Sequence, residues 1–284
     1  MKVGIRSGSY IGRYGFSDGL KRLKRQGYDT IDYQDFVDTN NPLFNLNEGE
    51  FEKKLKEQRE EIESLGLEII QTHGPWRWPP KDNTVEDRAE RFEKMSRSIL
   101  GTALLGCRNF VIHPILPWGA GEDPEPERHH EMNLEFMSRL CDVARQYDIV
   151  VCFENMPFRN VALATPAACR TLAEEMNSPN FKICLDTGHC SVLGISPADA
   201  VRSLGTKWLQ VLHVHDNNGQ NDYHWVPYLG VIDWDDFSKA LRDINFEGSV
   251  SLETGIPKGF PRQLWSIQEE SLFKSAMLIA GRLP

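Results

Sequence analysis

Eight times along its 284 residues the chain repeats one unit: a short β-branched apolar run followed by an amphipathic stretch. The runs are KVGIRS (2–7), TIDYQ (30–34), LEIIQTH (67–73), NFVIH (109–113), IVVCFE (149–154), FKICLD (181–186), KWLQVLHVH (207–215) and GSVSLE (248–253). The stretches between them place apolar residues at helical spacing, as Phe51, Leu55, Ile62 and Leu65 do ahead of Gly66. Thr165–Pro166 and Ser196–Pro197 read as helix starts, with a side-chain cap followed by proline in the first turn. Strands that alternate with helices pair in parallel through crossovers. Eight such units predict a single α/β (β/α)8 barrel spanning residues 1–284 as one domain. An open doubly wound sheet is the competing architecture. It wants a Gly-rich phosphate turn after the first strand, and RSGSYIGRYG lacks the GxGxxG spacing.

In such a barrel the working face lies where the strands end. The third to sixth and the eighth runs end in His73, His113, Glu154, Asp186 and Glu253, and the seventh carries His213 two residues from its end. All six are metal-ligand types set among apolar neighbours, where an unpaired charge is costly. A shared divalent cation removes that cost for all of them. Glu154, Asp186, His213 and Glu253, from four successive strands, form the best ligand quartet. A mixed carboxylate and imidazole set suits one divalent ion, Mn preferred, with Zn, Co or Mg as alternatives. His189 lies three residues past Asp186, beyond a Thr-Gly turn, and points back at the mouth. Of His213 and His215 only one is expected to face inward. Asp216 reads as a loop or supporting residue, and His129 and His130 as solvated.

The remaining composition narrows the function classes. The net charge of −9 and the acidic loop GAGEDPEPE (119–127) disfavour binding through nucleic-acid phosphates. No apolar run approaches the length of about 20 residues that a membrane helix needs. The opening MKVGIRSGSY reads as a strand and not as a secretory leader. Six cysteines without a CxxC pair read as small buried hydrophobes in a reducing, cytoplasmic setting.

ENMP, LDTGH, HVHDNNG, HWVPYLGVIDW and SLET follow in order along the chain. In these motifs the chain resembles the xylose isomerase-like TIM-barrel superfamily. That group covers sugar phosphate isomerase/epimerases, ketose 3-epimerases and the endonuclease IV type of AP endonuclease. The ketose epimerase resemblance implies one divalent ion on Glu154, Asp186, His213 and Glu253, with His189 touching substrate. It implies proton abstraction next to a carbonyl through an enediolate, with Glu154 and Glu253 as the acid/base pair. The substrate is then a small sugar or sugar-like molecule, met also by His73, His113, His224, Trp118 and Arg6. Trp76, Trp78, Trp225, Phe158, Tyr223 and Tyr228 are further mouth aromatics, and Arg77, Arg159, Lys258 and Arg262 further cations. The endonuclease resemblance implies instead three zinc ions, His73, His113, His189, Asp222 and His224 extending the quartet. A lyase or dehydratase working from the same enediolate, and a metal-binding partner subunit, are the other readings. A homo-oligomer is compatible with all of them.

Overall fold

The computed structural model describes residues 1–283. Eight parallel strands run β1 (Lys2–Arg6), β2 (Thr30–Tyr33), β3 (Glu68–His73), β4 (Asn109–Ile112), β5 (Val150–Glu154), β6 (Phe181–Asp186), β7 (Leu209–His213) and β8 (Ser249–Leu252). Their order in the sheet is β7-β6-β5-β4-β3-β2-β1-β8. Past the end of β7, Val214 N–H donates to Ser251 O and Glu253 N–H to Val214 O, at 2.9 and 3.0 Å. These bonds all but close the ring into a (β/α)8 barrel, as the alternation predicts.

The main apolar core lies between the strands and the outer helices, with Ile5, Ile31, Phe110, Phe153, Ile183 and Leu252 all excluded from solvent. Residues of opposite parity point into the barrel. There Val111, Val150, Cys152, Cys184 and Val211 form a second, separate apolar cluster. That plug is the floor on which the strand-end charges stand. The six cysteines are free and buried, as expected of small apolar side chains.

Local structure departs from the sequence expectation in three places. The stretch after β1 forms a short helix, Gly8–Tyr14, before the expected one at Phe16–Gln26. The Thr-Gly turn after Asp186 is itself a helical turn, Thr187–Val192. Lys207 and Trp208 belong to the helix Pro197–Trp208 and not to the strand. Gly205 takes φ 55° inside that helix, which redirects the chain so that β7 starts at Leu209 without a loop. Among the described residues no helix is long and apolar enough to cross a membrane.

Candidate metal centre

The two-residue period of a strand builds the site. Cys152, Cys184, Val211 and Val111 sit inside the barrel, so Glu154, Asp186, His213 and His113 follow on the same face one step higher. His73 and Glu253 complete the ring from β3 and the end of β8.

Glu154 is the centre of the arrangement and is fully buried. Its Oε1 lies 2.9 Å from His213 Nδ1. Its Oε2 lies 3.1 Å from His113 Nε2 and 3.5 Å from His73 Nε2. Glu253 Oε2 stands 3.4 Å from the same His213 Nδ1. Glu154, Asp186, His213 and Glu253 thus each offer a ligand atom within 4.8 Å of the others. His73 donates through Nδ1 to Gly74 O at 2.8 Å, which turns its Nε2 toward Glu154.

A second group adjoins the first. His189, His215, Asp222 and His224 also bring ligand atoms within 4.8 Å of one another. Asp222 Oδ2 is 3.3 Å from His189 Nε2 and 3.1 Å from His224 Nε2, and its Oδ1 is 3.5 Å from His215 Nε2. His189 donates through Nδ1 to Asn155 O and His224 through Nδ1 to Glu253 O, at 2.7 and 2.6 Å. Each bond leaves Nε2 facing a carboxylate, which is how ligating imidazoles are oriented. His215 Nε2 sits 3.0 Å from Asp186 Oδ2 and joins the two groups. Gly188 is required here, because a Cβ at that position would run into the His215 ring.

The expectation that only one of His213 and His215 faces inward is corrected: both are buried in the site. Residues two apart share a face of an extended chain, so the pair was bound to point the same way. His129 is also corrected. It is buried, with Nδ1 2.6 Å from Asp123 Oδ2 and Nε2 2.7 Å from Ile115 O. His130 is partly exposed and pairs with Glu175 at 2.7 Å.

The loop that carries Asp222 and His224 hangs on one buried side chain. Asp216 accepts N–H bonds from Gly230, Val231 and Ile232 at 3.0, 3.0 and 3.3 Å, and from Trp234 Nε1 at 2.8 Å. Its own backbone exchanges two bonds with Trp225. Thr254 Oγ1 donates to His224 O, fixing the other side of the loop.

The electrostatics follow from this crowding. Burial alone would raise the Glu154 carboxyl, but His213 and His113 hold it well below the usual range. Glu253 is likewise lowered, to about 2, by His213 and His224 against the pull of burial. Burial works against charge on the imidazoles of His189 and His224, but Asp186 and Asp222 raise the first and Asp222 raises the second, to about 9. His113 goes the other way, to about 4, because burial outweighs Glu154. Cys184 also comes near Glu154 and His213, but burial pushes its thiol far up and makes it a poor ligand.

The raised His224 carries a pH signature for the metal-free protein. Its stabilisation is complete below the ordinary value of 6.5 and is lost as pH rises through about 9. Thermal melts of chelator-treated protein are therefore expected to show a midpoint that falls between those pH values. A midpoint that stays level or rises across that window would contradict the His224–Asp222 pairing.

A cleft of about 460 Å³ opens above the centre. Its lining combines polar side chains, Arg6, Gln34, His73, His113, His189, Asp222, His224 and Glu253, with the apolar Val37, Trp76, Trp78, Met156, Pro157 and Phe158. Trp78 and Phe158 stack at 5.9 Å across the rim. Trp118 does not line the cleft; its ring lies 5.9 Å from that of His129. Tyr223, Trp225, Tyr228, Arg77, Arg159, Lys258 and Arg262 also stand outside the lining. Asp32, missed from the sequence, is buried on β2 with Oδ2 3.1 Å from His213 Nε2. A lone carboxylate between apolar residues in TIDYQ was its available signal.

Eight parallel strands with acids and imidazoles gathered at their ends define a TIM barrel with a candidate metal site. Residues 20–276 match the family model described as xylose isomerase-like TIM barrel, and the chain belongs to that family. Among curated relatives, a D-psicose 3-epimerase of Agrobacterium fabrum is 27% identical over 197 residues, 67% of this chain and 66% of that protein. An inosose isomerase of Bacillus subtilis is 23% identical over 46% of this chain and 49% of that protein. The match to the epimerase therefore spans just under two thirds of its length. A crystal structure of D-psicose 3-epimerase in the presence of D-fructose superposes with a TM-score of 0.77 at 20% identity, covering 99% of this chain and 100% of the other. A crystal structure of the IolI protein with a bound zinc atom gives 0.74 at 17% identity, covering 98% and 96%. The relatives and neighbours include sugar epimerases and isomerases.

Proposed function

We propose that this protein is a divalent-metal-dependent sugar isomerase or epimerase that abstracts a proton next to a carbonyl. The observation that carries the reading is the quartet Glu154, Asp186, His213 and Glu253, converging next to an open cleft that Glu253 lines. The donor set fits a cation, Mn preferred, with Zn, Co or Mg as alternatives: three carboxylates and an imidazole, with Glu154 wholly buried and its Oε2 turned to the His113 and His73 nitrogens. A bound divalent ion supplies Lewis-acid polarisation of a carbonyl and its neighbouring hydroxyl.

The chain's own groups divide the remaining work. Glu253, with 13% of its side chain exposed, forms the wall of the cleft and meets the substrate carbon. Glu154 approaches from β5, across the barrel, beneath it. One carboxylate removes the proton and the other returns it. Return at the same carbon from the opposite face inverts it; return at the neighbouring carbon moves the carbonyl. His189, His73, His113 and His224 line the cleft and present nitrogens to substrate oxygens, with Arg6 at the rim. The aromatic side chains exclude water from the enediolate and stack on the apolar face of the sugar. The substrate is accordingly a small sugar or sugar-like molecule in open-chain form.

One observation favours a second reading, a trinuclear phosphodiesterase on abasic DNA. Three ligand groups lie side by side: His73, His113 and Glu154; the quartet; and His189, His215, Asp222 and His224. Against it, Arg6 is the one basic side chain among the residues that line the cleft. The two readings separate by metal content together with substrate. About one metal per chain and proton exchange with solvent at a ketose carbon, followed by NMR in heavy water, support the first. Close to three zinc ions with cleavage of an abasic duplex, and no exchange on a ketose panel, would replace it with the second.

A further inference from the structure

We infer that Asp32 is a positioning residue that fixes the His213 imidazole for metal binding. The inference rests on the proposed ligand quartet and adds to it a residue that none of the four motifs around it contains. β2 pairs with β3 so that Asp32 stands opposite Gln71, two residues before His73. Asp32 therefore lies one inward step below the ring of strand-end ligands. It is wholly buried, and its Oδ2 receives His213 Nε2 at 3.1 Å. Gln71 Nε2 stands 3.4 Å from both that same oxygen and Leu212 O, so the carboxylate is held from the side as well. The opposite nitrogen of His213, Nδ1, faces Glu154 and Glu253 at 2.9 and 3.4 Å. His73 lies parallel to the ring at 5.6 Å and 8° and leaves it one orientation.

These contacts assign the two nitrogens. Asp32 Oδ2 is an acceptor only, so the nitrogen that faces it at 3.1 Å, Nε2, carries a hydrogen. Nδ1 faces Glu154 and Glu253, and with a divalent ion among these carboxylates it would be the nitrogen that gives up its proton and binds. Carboxylate partners of this kind orient a ligating imidazole and raise its basicity, and losing one weakens metal binding by about 10–100-fold. Asp32 Oδ1 has no partner among the described residues.

The test is Asp32→Asn, which keeps size and shape while removing the charge that holds Nε2–H. Chelator-treated wild type and variant are titrated with Mn²⁺, and with Co²⁺ followed by its visible spectrum, each normalised to the folded fraction. The expected result is a 10–100-fold weaker Mn²⁺ affinity with a changed Co²⁺ spectrum in the loaded variant. Equal affinity and an unchanged spectrum in the folded variant would overturn the role of Asp32 while leaving the quartet standing. A wild type that takes up neither ion would overturn the quartet, and Asp32 with it. Should Asp32→Asn fail to fold, Asp32→Ser, smaller and uncharged, is read by the same two titrations.

Discussion

Glu154→Gln is expected to remove metal binding and activity together. The carboxylate faces His213, His113 and His73 within 3.5 Å, and among the described residues no other acid pairs with all three. An amide in its place offers one acceptor and a donor that confronts the imidazoles. Loss of a proton-transferring group alone costs about 10²–10⁴-fold in rate. Loss of the shared ligand compounds it. Breaking a buried ionic partner also destabilises by about 3–5 kcal/mol. The checks are metal content by elemental mass spectrometry, ketose turnover, and a thermal melt without metal. A variant that keeps its metal and most of its turnover would remove Glu154 from both roles.

The second large effect is expected far from any substrate atom, at Asp216. Alanine there strands the buried N–H of Ile232 and the buried indole of Trp234, and removes the bonds that tie the more exposed Gly230 and Val231 to the barrel. Each unsatisfied buried donor costs about 1–3 kcal/mol, unless the loop opens to water instead. Either outcome displaces Asp222 and His224, which the loop holds against His189 and His215. The variant is expected to melt several degrees lower and to expose residues 217–233 to proteolysis, with the barrel intact by circular dichroism. A loop as protected as in the wild type would show that Thr254 and the Trp225 bridge suffice to hold it.

The strands and their order are legible in the sequence because both signals are local. β-branched runs and helical spacing need no knowledge of distant residues, and eight parallel units leave one economical closure. The strand-end acids are legible for the same reason: FE, LD and LE each end an apolar run. The rest depends on contacts that no local pattern records. Asp222 and His224 lie in a polar loop whose path is set by hydrogen bonds to Asp216 and by the Cβ-free backbone at Gly188 beneath His215. Asp32 lies inside β2 and not at a strand end, so the strand-end pattern does not reach it. His215 was lost to a parity error and not to missing information, since residues two apart always share a face.

The closing contact between Val214 and the end of β8 ties the site to the last step of chain assembly. Asp32 and Glu253 belong to opposite ends of the polypeptide, and His213 touches both. A nascent chain still lacking its eighth strand has Glu154, Asp186 and His213 but no fourth ligand and no sealed floor. On the proposed ligand quartet, cation capture would serve as a timestamp for barrel closure: in refolding it should lag helix formation and coincide with the slow gain of non-local order.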